Sequence, residues 1–287
     1  MIIYTCITNG YDEISDDHYY DPDVQYVCFT DGTIEQKGSW EFRQIPIEHE
    51  CPVRHALYPK IMQHKVFPMG EQVVWIDGCY TITKEYVDYC KSTFEHTPRA
   101  HLVHPMKFTY YEEVTESYIS NYNSLEDILK ITRTVKDLGF DFRKYVNPML
   151  ASFWSTVSED SVRFNELWWE LSQISTRCDQ IGFVVSKQLS GLPWFEIENV
   201  HSTGVNYRSL DHREGCVCPE CAEIGGNIKR GNLGRVKSHP KTGDSDQWMN
   251  IDAMMKDVSE LVGMTRHFYN KHWKDIRNVS EYIRAKQ

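Results

Sequence analysis

Short apolar runs that stop on turn residues recur along the first third of the chain. "MIIYTCIT" (1–8) is apolar and β-branched and ends at Asn9-Gly10. "VQYVCFTDG" (24–32) follows the same plan to Asp31-Gly32, and "VVWIDG" (73–78) follows it to Asp77-Gly78. Runs closed in this way predict strands that lead into tight turns. "SWEFRQIPI" (39–47) predicts a further strand. "PVRHALYPKIMQHKVF" (52–67) predicts one continuous helix carrying Arg54, His55, Lys60 and His64, and a second helix is expected over 84–94. This alternation predicts an α/β fold with a mainly parallel sheet and helices on both faces. Ligands of such sheets bind beyond the carboxyl ends of the strands. The three turns are therefore expected together on one ligand-binding edge.

Further along, "LVHPMKFTYYEEV" (102–114) predicts a strand running into a polar segment. "SLEDILKITRTVKDLGF" (124–140) predicts an amphipathic helix with Ser124 as N-cap, Asp127 in its first turn and Gly139 as C-cap. In "SEDSVRFNELWWELSQIS" (158–175), apolar positions 164, 167, 168, 171 and 174 form one helical stripe. "DQIGFVVSKQLSG" (179–191) predicts another helix, opened by Asp179 and closed by Gly191. After about residue 205 the composition turns to Gly, Cys and basic residues with little periodicity. A catalytic unit over 1–205 is expected to be followed by an extension over 206–287, with a Cys-rich loop and helices near 246–262 and 264–285.

Composition narrows the function classes. With 31 basic and 41 acidic residues the net charge is −10. A global electrostatic grip on nucleic acid is not expected, though a local basic patch stays open. No segment approaches the ~20 apolar residues of a membrane span. The first residues lack the basic flank and apolar stretch of a signal peptide. Six of the nine cysteines are scattered, several of them inside apolar runs, as buried free thiols in a reducing compartment would be. The expectation is a soluble, cytoplasmic protein without a membrane partner.

Six motifs then occur in a telling order. They are "YTCITNGYD" (4–12), "FTDG" (29–32), "CPVRHALYPK" (51–60), "VWIDG" (74–78), "HPMKFTYYEE" (104–113) and "WWELSQISTRCDQIGF" (168–183). Together they resemble a glycosyltransferase-like family best known from plants, whose members are linked to mucilage and turgor. The likeness covers residues 1 to about 200. It departs from the family pattern where Cys178 interrupts an Arg-Asp-Gln element, and 114–138 is longer than the usual linker. The resemblance implies a GT-A-like fold and a nucleotide-sugar donor, of which UDP-sugar is the expected type. It names neither donor sugar nor acceptor.

Transfer from such a donor leaves negative charge on a diphosphate, which calls for a metal or basic side chains. Asp77 has two readings, a strand-end turn residue or a ligand to Mn²⁺ or Mg²⁺. A thiol is a poor ligand for such hard ions, so Cys79 is not expected to bind one. "NVHSTGVNY" (199–207) resembles the His-x-x-Gly element of several GT-A transferases, with His201 and Gly204 matching. It offers His201 as a second metal ligand, or else a surface loop histidine. Thr8, Gly10, Tyr11 and Asp12 would touch the nucleotide, and Asp31 the base or ribose, unless they only build turns. Arg54 and Lys60 would approach the phosphates from different angles, or form a solvated helix face. Asp179, with Gln180 beside it, would hold a sugar hydroxyl or act as general base. Otherwise Asp179 is an N-cap. Glu170, beside Trp168 and Trp169, is the second candidate for base.

His212, Cys216, Cys218 and Cys221 offer three thiols and an imidazole, a set that suits structural Zn²⁺ or else remains free in a loop. Lys229, Arg230, Arg235, Lys237 and Lys241 follow among glycines. They form either a solvated loop or contacts to a nucleic-acid phosphate backbone. The acceptor is thus a glycan, a small molecule or modified DNA such as hydroxymethylated phage-type DNA. Two rival readings are a non-enzymatic sugar-nucleotide or glycan binder, and a zinc-bearing nucleic-acid module on an inert scaffold.

Overall fold

The structure is a computed structural model that describes residues 1–104, 109–110, 113–114, 117, 123–174, 179–198, 203–204, 206–207 and 256–258. Its centre is a seven-stranded sheet built from β1 (Ile2–Ile7), β2 (Gln25–Thr30), β3 (Glu41–Gln44), β4 (Gln72–Ile76), β6 (Arg99–Val103), β7 (Pro148–Thr156) and β8 (Phe195–Ile197). The order across the sheet is β3-β2-β1-β4-β7-β6-β8. The β3-β2-β1-β4 part is parallel throughout. Strand β7 runs antiparallel to both its neighbours, and β8 is parallel to β6. A separate two-stranded ribbon joins β5 (Tyr80–Thr81) to β9 (Asn206–Tyr207). The expected mainly parallel α/β sheet is present.

Alternation along the strands feeds two cores. Ile2, Tyr4, Val73 and Trp75 face one side of the sheet, and Ile3, Ile7, Val74 and Ile76 face the other. Because both faces are covered, β1, β2 and β4 read in sequence as nearly unbroken apolar runs. Six α-helices have described bounds, besides a 3₁₀ turn over Phe142–Lys144. They are α1 (Pro52–Ile61), α2 (Gln63–Val66), α3 (Lys84–His96), α4 (Leu125–Asp137), α5 (Glu159–Ser172) and α6 (Asp179–Ser190). The core of Tyr4 and Trp75 also takes residues of α4, α5 and α6, whereas Tyr86, Val87 and Cys90 of α3 cover the opposite face. The fully buried Val258 joins the first of these cores.

Three differences from the sequence reading have physical causes. The helix expected over 52–67 breaks at Met62, whose ψ of 48° leaves the helical range. Pro59 lies within the last turn of α1, where it removes a helical N–H donor. The central strand β7 was not anticipated. Its "PMLASFWST" mixes small polar residues with apolar ones, and its partners β4 and β6 lie far away in sequence. Ser152 is buried there only because its hydroxyl pairs with the Tyr86 hydroxyl. The short edge strand β8 was missed for the same reason. Elsewhere local signals hold. Ser124 and Asp127 form a reciprocal capping box on α4, and Gly139 follows the helix at φ +83°. The helices expected near 246–262 and 264–285 lie outside the described residues except for 256–258, which are helical. Among the described residues no helix is long and apolar enough to cross a membrane.

Helices α5 and α6 pack closely through one glycine. A Cβ added at Gly182 would lie 2.8 Å from Cδ1 of Trp168. The Trp168 indole N–H donates to the backbone carbonyl of Asp179 at 2.8 Å. Gly182→Ala should gain helix propensity of ~1 kcal/mol. It should lose more through overpacking, by ~1–3 kcal/mol. A lower unfolding free energy in urea is the expected result, and an unchanged or higher one contradicts the packing described.

His101 on β6 is 1% exposed, with its ring against Phe183 and Trp194. Its Nε2 lies 3.0 Å from the Lys187 ammonium, and its Nδ1 faces the Leu102 carbonyl at 3.0 Å. Burial first, and Lys187 second, push its pKa down from 6.5 to about 4. The unfolded chain therefore binds a proton that the folded chain refuses, so stability falls as pH drops from about 6.5 to about 4. Unfolding midpoints measured across that window should decline in the native protein and decline less in His101→Gln.

Candidate functional site

The carboxyl ends of β2, β1 and β4 lie side by side, and three turns leave them on one edge. After β1 the chain turns back sharply, with Asn9 at φ 55° and Gly10 at φ 57°. The Tyr11 N–H closes this turn on the Thr8 carbonyl at 3.1 Å. Thr8 is buried and donates its hydroxyl to the Pro52 carbonyl at 2.9 Å, which fixes the start of α1. The Asn9 N–H donates to Asp31 Oδ2 at 2.8 Å, and the Gly10 N–H to the Thr33 hydroxyl at 2.8 Å. Asp31 Oδ1 accepts from the backbone N–H and the hydroxyl of Thr33. The Asp31 carboxylate thus ties two strand exits together. Most of its acceptor capacity is already used, so its role in the site is to shape the rim.

Asp77 ends β4 at the position where the strand order reverses between β1 and β4. Its N–H continues the ladder into β7 by donating to Ala151 at 2.8 Å, and its carbonyl accepts from Tyr80 at 3.1 Å. "DGCY" is therefore a turn, and it is also more than a turn. The Trp75 indole N–H donates to Asp77 Oδ1 at 2.8 Å. Among the described residues no hydrogen bond or ion pair reaches Asp77 Oδ2, and the side chain keeps 38% of its exposure. Gly78 allows a close approach, since a Cβ there would lie 3.1 Å from Asp12 Oδ2 and 3.3 Å from Ile7 Cγ1 and would press on both. The buried Asp12 is in this way brought against the Asp77 turn.

Lys60 completes the cluster. It is 6% exposed, and its ammonium lies 2.7 Å from Asp179 Oδ2 and 3.6 Å from Asp77 Oδ1. The same ammonium stands 5.1 Å above the Trp75 ring, a cation–π arrangement. The Tyr4 hydroxyl donates to the Lys60 carbonyl at 3.2 Å and accepts from Gln63 at 2.8 Å, which anchors the end of α1 on β1. Burial disfavours the Lys60 charge, but Asp179 and Asp77 outweigh it and raise its pKa. Burial also raises the Asp77 pKa, and Asp179 and Asp12 add to this against the opposing pull of Lys60 and Trp75.

The other residues singled out in the sequence fall into three groups. Arg54 is buried, and its guanidinium donates to the Gln173 carbonyl at 2.8 Å, at the C-cap of α5. There it holds two helices together and meets the negative end of the α5 dipole. Gln180 sits half-buried in the first turn of α6, beside Asp179. Glu170 is exposed on α5 and is not brought to the cluster. His201, His212, Cys216, Cys218, Cys221 and the basic stretch from Lys229 to Lys241 lie outside the described residues. The neighbours of His201 are placed. The Gly204 carbonyl accepts from Thr83 at 3.0 Å, and Asn206–Tyr207 pair with Tyr80–Thr81, three residues beyond Asp77.

A divalent ion can be tested against these donors. Asp77 offers one carboxylate oxygen with no other partner among the described residues, which suits hard Mg²⁺ or Mn²⁺. Among those residues no group of three His, Cys, Asp or Glu has metal-binding geometry. Asp77 thus fits an ion that takes its remaining ligands from elsewhere, such as diphosphate oxygens. Cys79 is buried and offers no hard oxygen.

Sequence reading missed the scaffold residues Trp75, Tyr4 and Gln63, whereas Trp168 is in the core as its helical stripe predicted. Trp75 was within reach, because residues two apart on a strand share a face. Tyr4 and Gln63 act across 56 and 59 positions of chain and left no local signal. Lys60→Met should strand the buried Asp179 carboxylate beside the part-exposed Asp77 and cost roughly 3–5 kcal/mol. Lys60→Met/Asp179→Asn should recover part of that loss in chemical denaturation.

The comparisons with known proteins add no relative. No protein-family model matches the chain, and no curated protein matches it.

Proposed function

We propose that this chain transfers a sugar from a nucleoside-diphosphate sugar, of which a UDP-sugar is the expected type, to an acceptor hydroxyl on a GT-A-like fold. The observation that carries this reading is the meeting of Asp77, Asp12, Asp179 and Lys60 at the switch between β1 and β4. Crevices at such switch points are where doubly wound sheets bind nucleotides. The β3-β2-β1 order is that of a nucleotide-binding half-sheet, and β4 lies across the switch point from it. The six-motif resemblance to the plant-type glycosyltransferase-like family supports the same reading.

In this scheme the donor lies across the ends of β1 and β4. The rim built by Thr8–Asp12 and Asp31 receives the nucleoside. Asp77 Oδ2 faces the diphosphate and would hold Mn²⁺ or Mg²⁺ there. A bound ion of this kind supplies positive charge to the departing diphosphate. Trp75 keeps the Asp77 carboxylate in one orientation through its indole N–H. The Lys60 ammonium supplies further positive charge beside the leaving group. Asp179, at the start of α6, takes a sugar hydroxyl and can accept its proton. His201 is a second ligand for the ion in this reading, on the strength of the His-x-x-Gly resemblance, with Gly204 bonded to Thr83 and Asn206–Tyr207 paired with Tyr80–Thr81.

The test is incubation with a panel of UDP-sugars and Mn²⁺, read as released UDP. Native protein should release UDP, and Asp77→Ala should lower the rate at least ~100-fold, the scale of losing a key electrostatic contact. Cys79→Ser should stay within about threefold of native, because no step in the scheme uses the thiol. Silence across a broad donor panel supports the binding-protein alternative, and an inactive Cys79→Ser beside an active Asp77→Ala refutes this assignment of the site.

A further inference from the structure

We propose that Lys60 is a shared counter-ion, held by Asp179 and Asp77 in the free protein and passed to the donor's diphosphate when it binds, which releases Asp179 for the acceptor. This rests on the nucleotide-sugar reading above and adds an order of events to it.

The backbone of the β1 exit cannot grip phosphate as it stands. Three consecutive N–H groups there are already satisfied within the protein. Asn9 donates to Asp31, Gly10 to Thr33 and Tyr11 to the Thr8 carbonyl. A phosphate-binding loop needs those donors free and pointing at the ligand. Arg54 spends its Nη2 donor on the C-cap carbonyl of α5, where leaving would uncap a helix. Lys60 is different. Its ammonium is held by two carboxylates, at 2.7 and 3.6 Å, and those anions can be exchanged for another anion. Its backbone is fixed by Tyr4, so only the side chain has to move. Lysine suits this task, as a compact point charge on a flexible stem with three rotatable donors. The Trp75 ring, 5.1 Å from the ammonium, gives it an apolar surface along which to shift.

The same pairing explains how Asp179 is kept idle. With the Lys60 ammonium 2.7 Å from Asp179 Oδ2, that oxygen is occupied and has no room for an acceptor hydroxyl. Once the ammonium turns to the diphosphate, Asp179 becomes available. The donor therefore binds first and the acceptor second.

The decisive measurement is the affinity for UDP in the presence of Mn²⁺, by titration calorimetry, with native protein, Asp179→Asn and Lys60→Met/Asp179→Asn. Asp179→Asn removes the anion that competes for Lys60, so UDP should bind about three- to tenfold more tightly than to native protein. Lys60→Met/Asp179→Asn should bind at least about tenfold more weakly than Asp179→Asn alone, because the charged contact to phosphate is gone. Lys60→Arg/Asp179→Asn retains a cation and should keep most of the affinity. Should the Met variant fail to fold, Lys60→Gln/Asp179→Asn gives the same readout. The proposal is overturned if Asp179→Asn binds UDP no more tightly than native protein. It is equally overturned if removing Lys60 from that background changes nothing, since simple relief of repulsion by Asp179 would then suffice. Failure of native protein to bind UDP, GDP or CDP at all instead removes the nucleotide reading itself, and this proposal with it.

Discussion

Lys60 carries a positive charge to a place that little water reaches, and two carboxylates from distant parts of the chain keep it there. Asp179 opens α6 and Asp77 ends β4, so their shared contact with Lys60 joins α1, α6 and the centre of the sheet. A buried charge is tolerated only when paired. The surrounding packing serves that requirement. Trp75 lies under the ammonium and steadies Asp77, Tyr4 and Gln63 fix the end of α1, and Trp168 holds the Asp179 backbone. Much of the aromatic core on this face of the sheet is thus also the support of one ion-pair network.

Such a network is a weak source of stability, because the cost of desolvating its charges offsets much of their attraction. An apolar trio of similar volume would hold the same elements together as well. Three carboxylates and one lysine at the switch point of a parallel sheet are the basis on which ligand chemistry is proposed there. Part of the cluster remains open, since Asp77 keeps one oxygen without a partner among the described residues. The raised pKa values of Asp77 and Lys60 are in keeping with that proposal.

Sequence legibility was uneven, and the unevenness has causes. The turns at Asn9-Gly10, Asp31-Gly32 and Asp77-Gly78 were readable because each is a local signal, and parallel neighbours must place their ends on one edge. The α4 cap was readable because Ser124 and Asp127 act within one helical turn. Strand β7 was not readable, because its small polar residues are buried only through partners that fold in from elsewhere. Arg54 and Lys60 looked alike as basic residues on one helix, yet one caps α5 and the other pairs with two carboxylates. Asp31 looked like a ligand residue, and its carboxylate proves to be occupied by the loop it stabilises.

By itself the sequence determined where β1, β2 and β4 end, which residues could be chemical, and that the sheet is mainly parallel. Those properties depend on residues within a few positions of one another: apolar runs, turn pairs and helical periodicity. Only the tertiary structure decided which acids meet which base. Lys60 reaches Asp179 across 119 residues of chain, and Trp75 meets Lys60 because β4 and α1 pack on the same face. Pairing of charges is a contact property. It is set by strand order and helix docking, which no local pattern encodes.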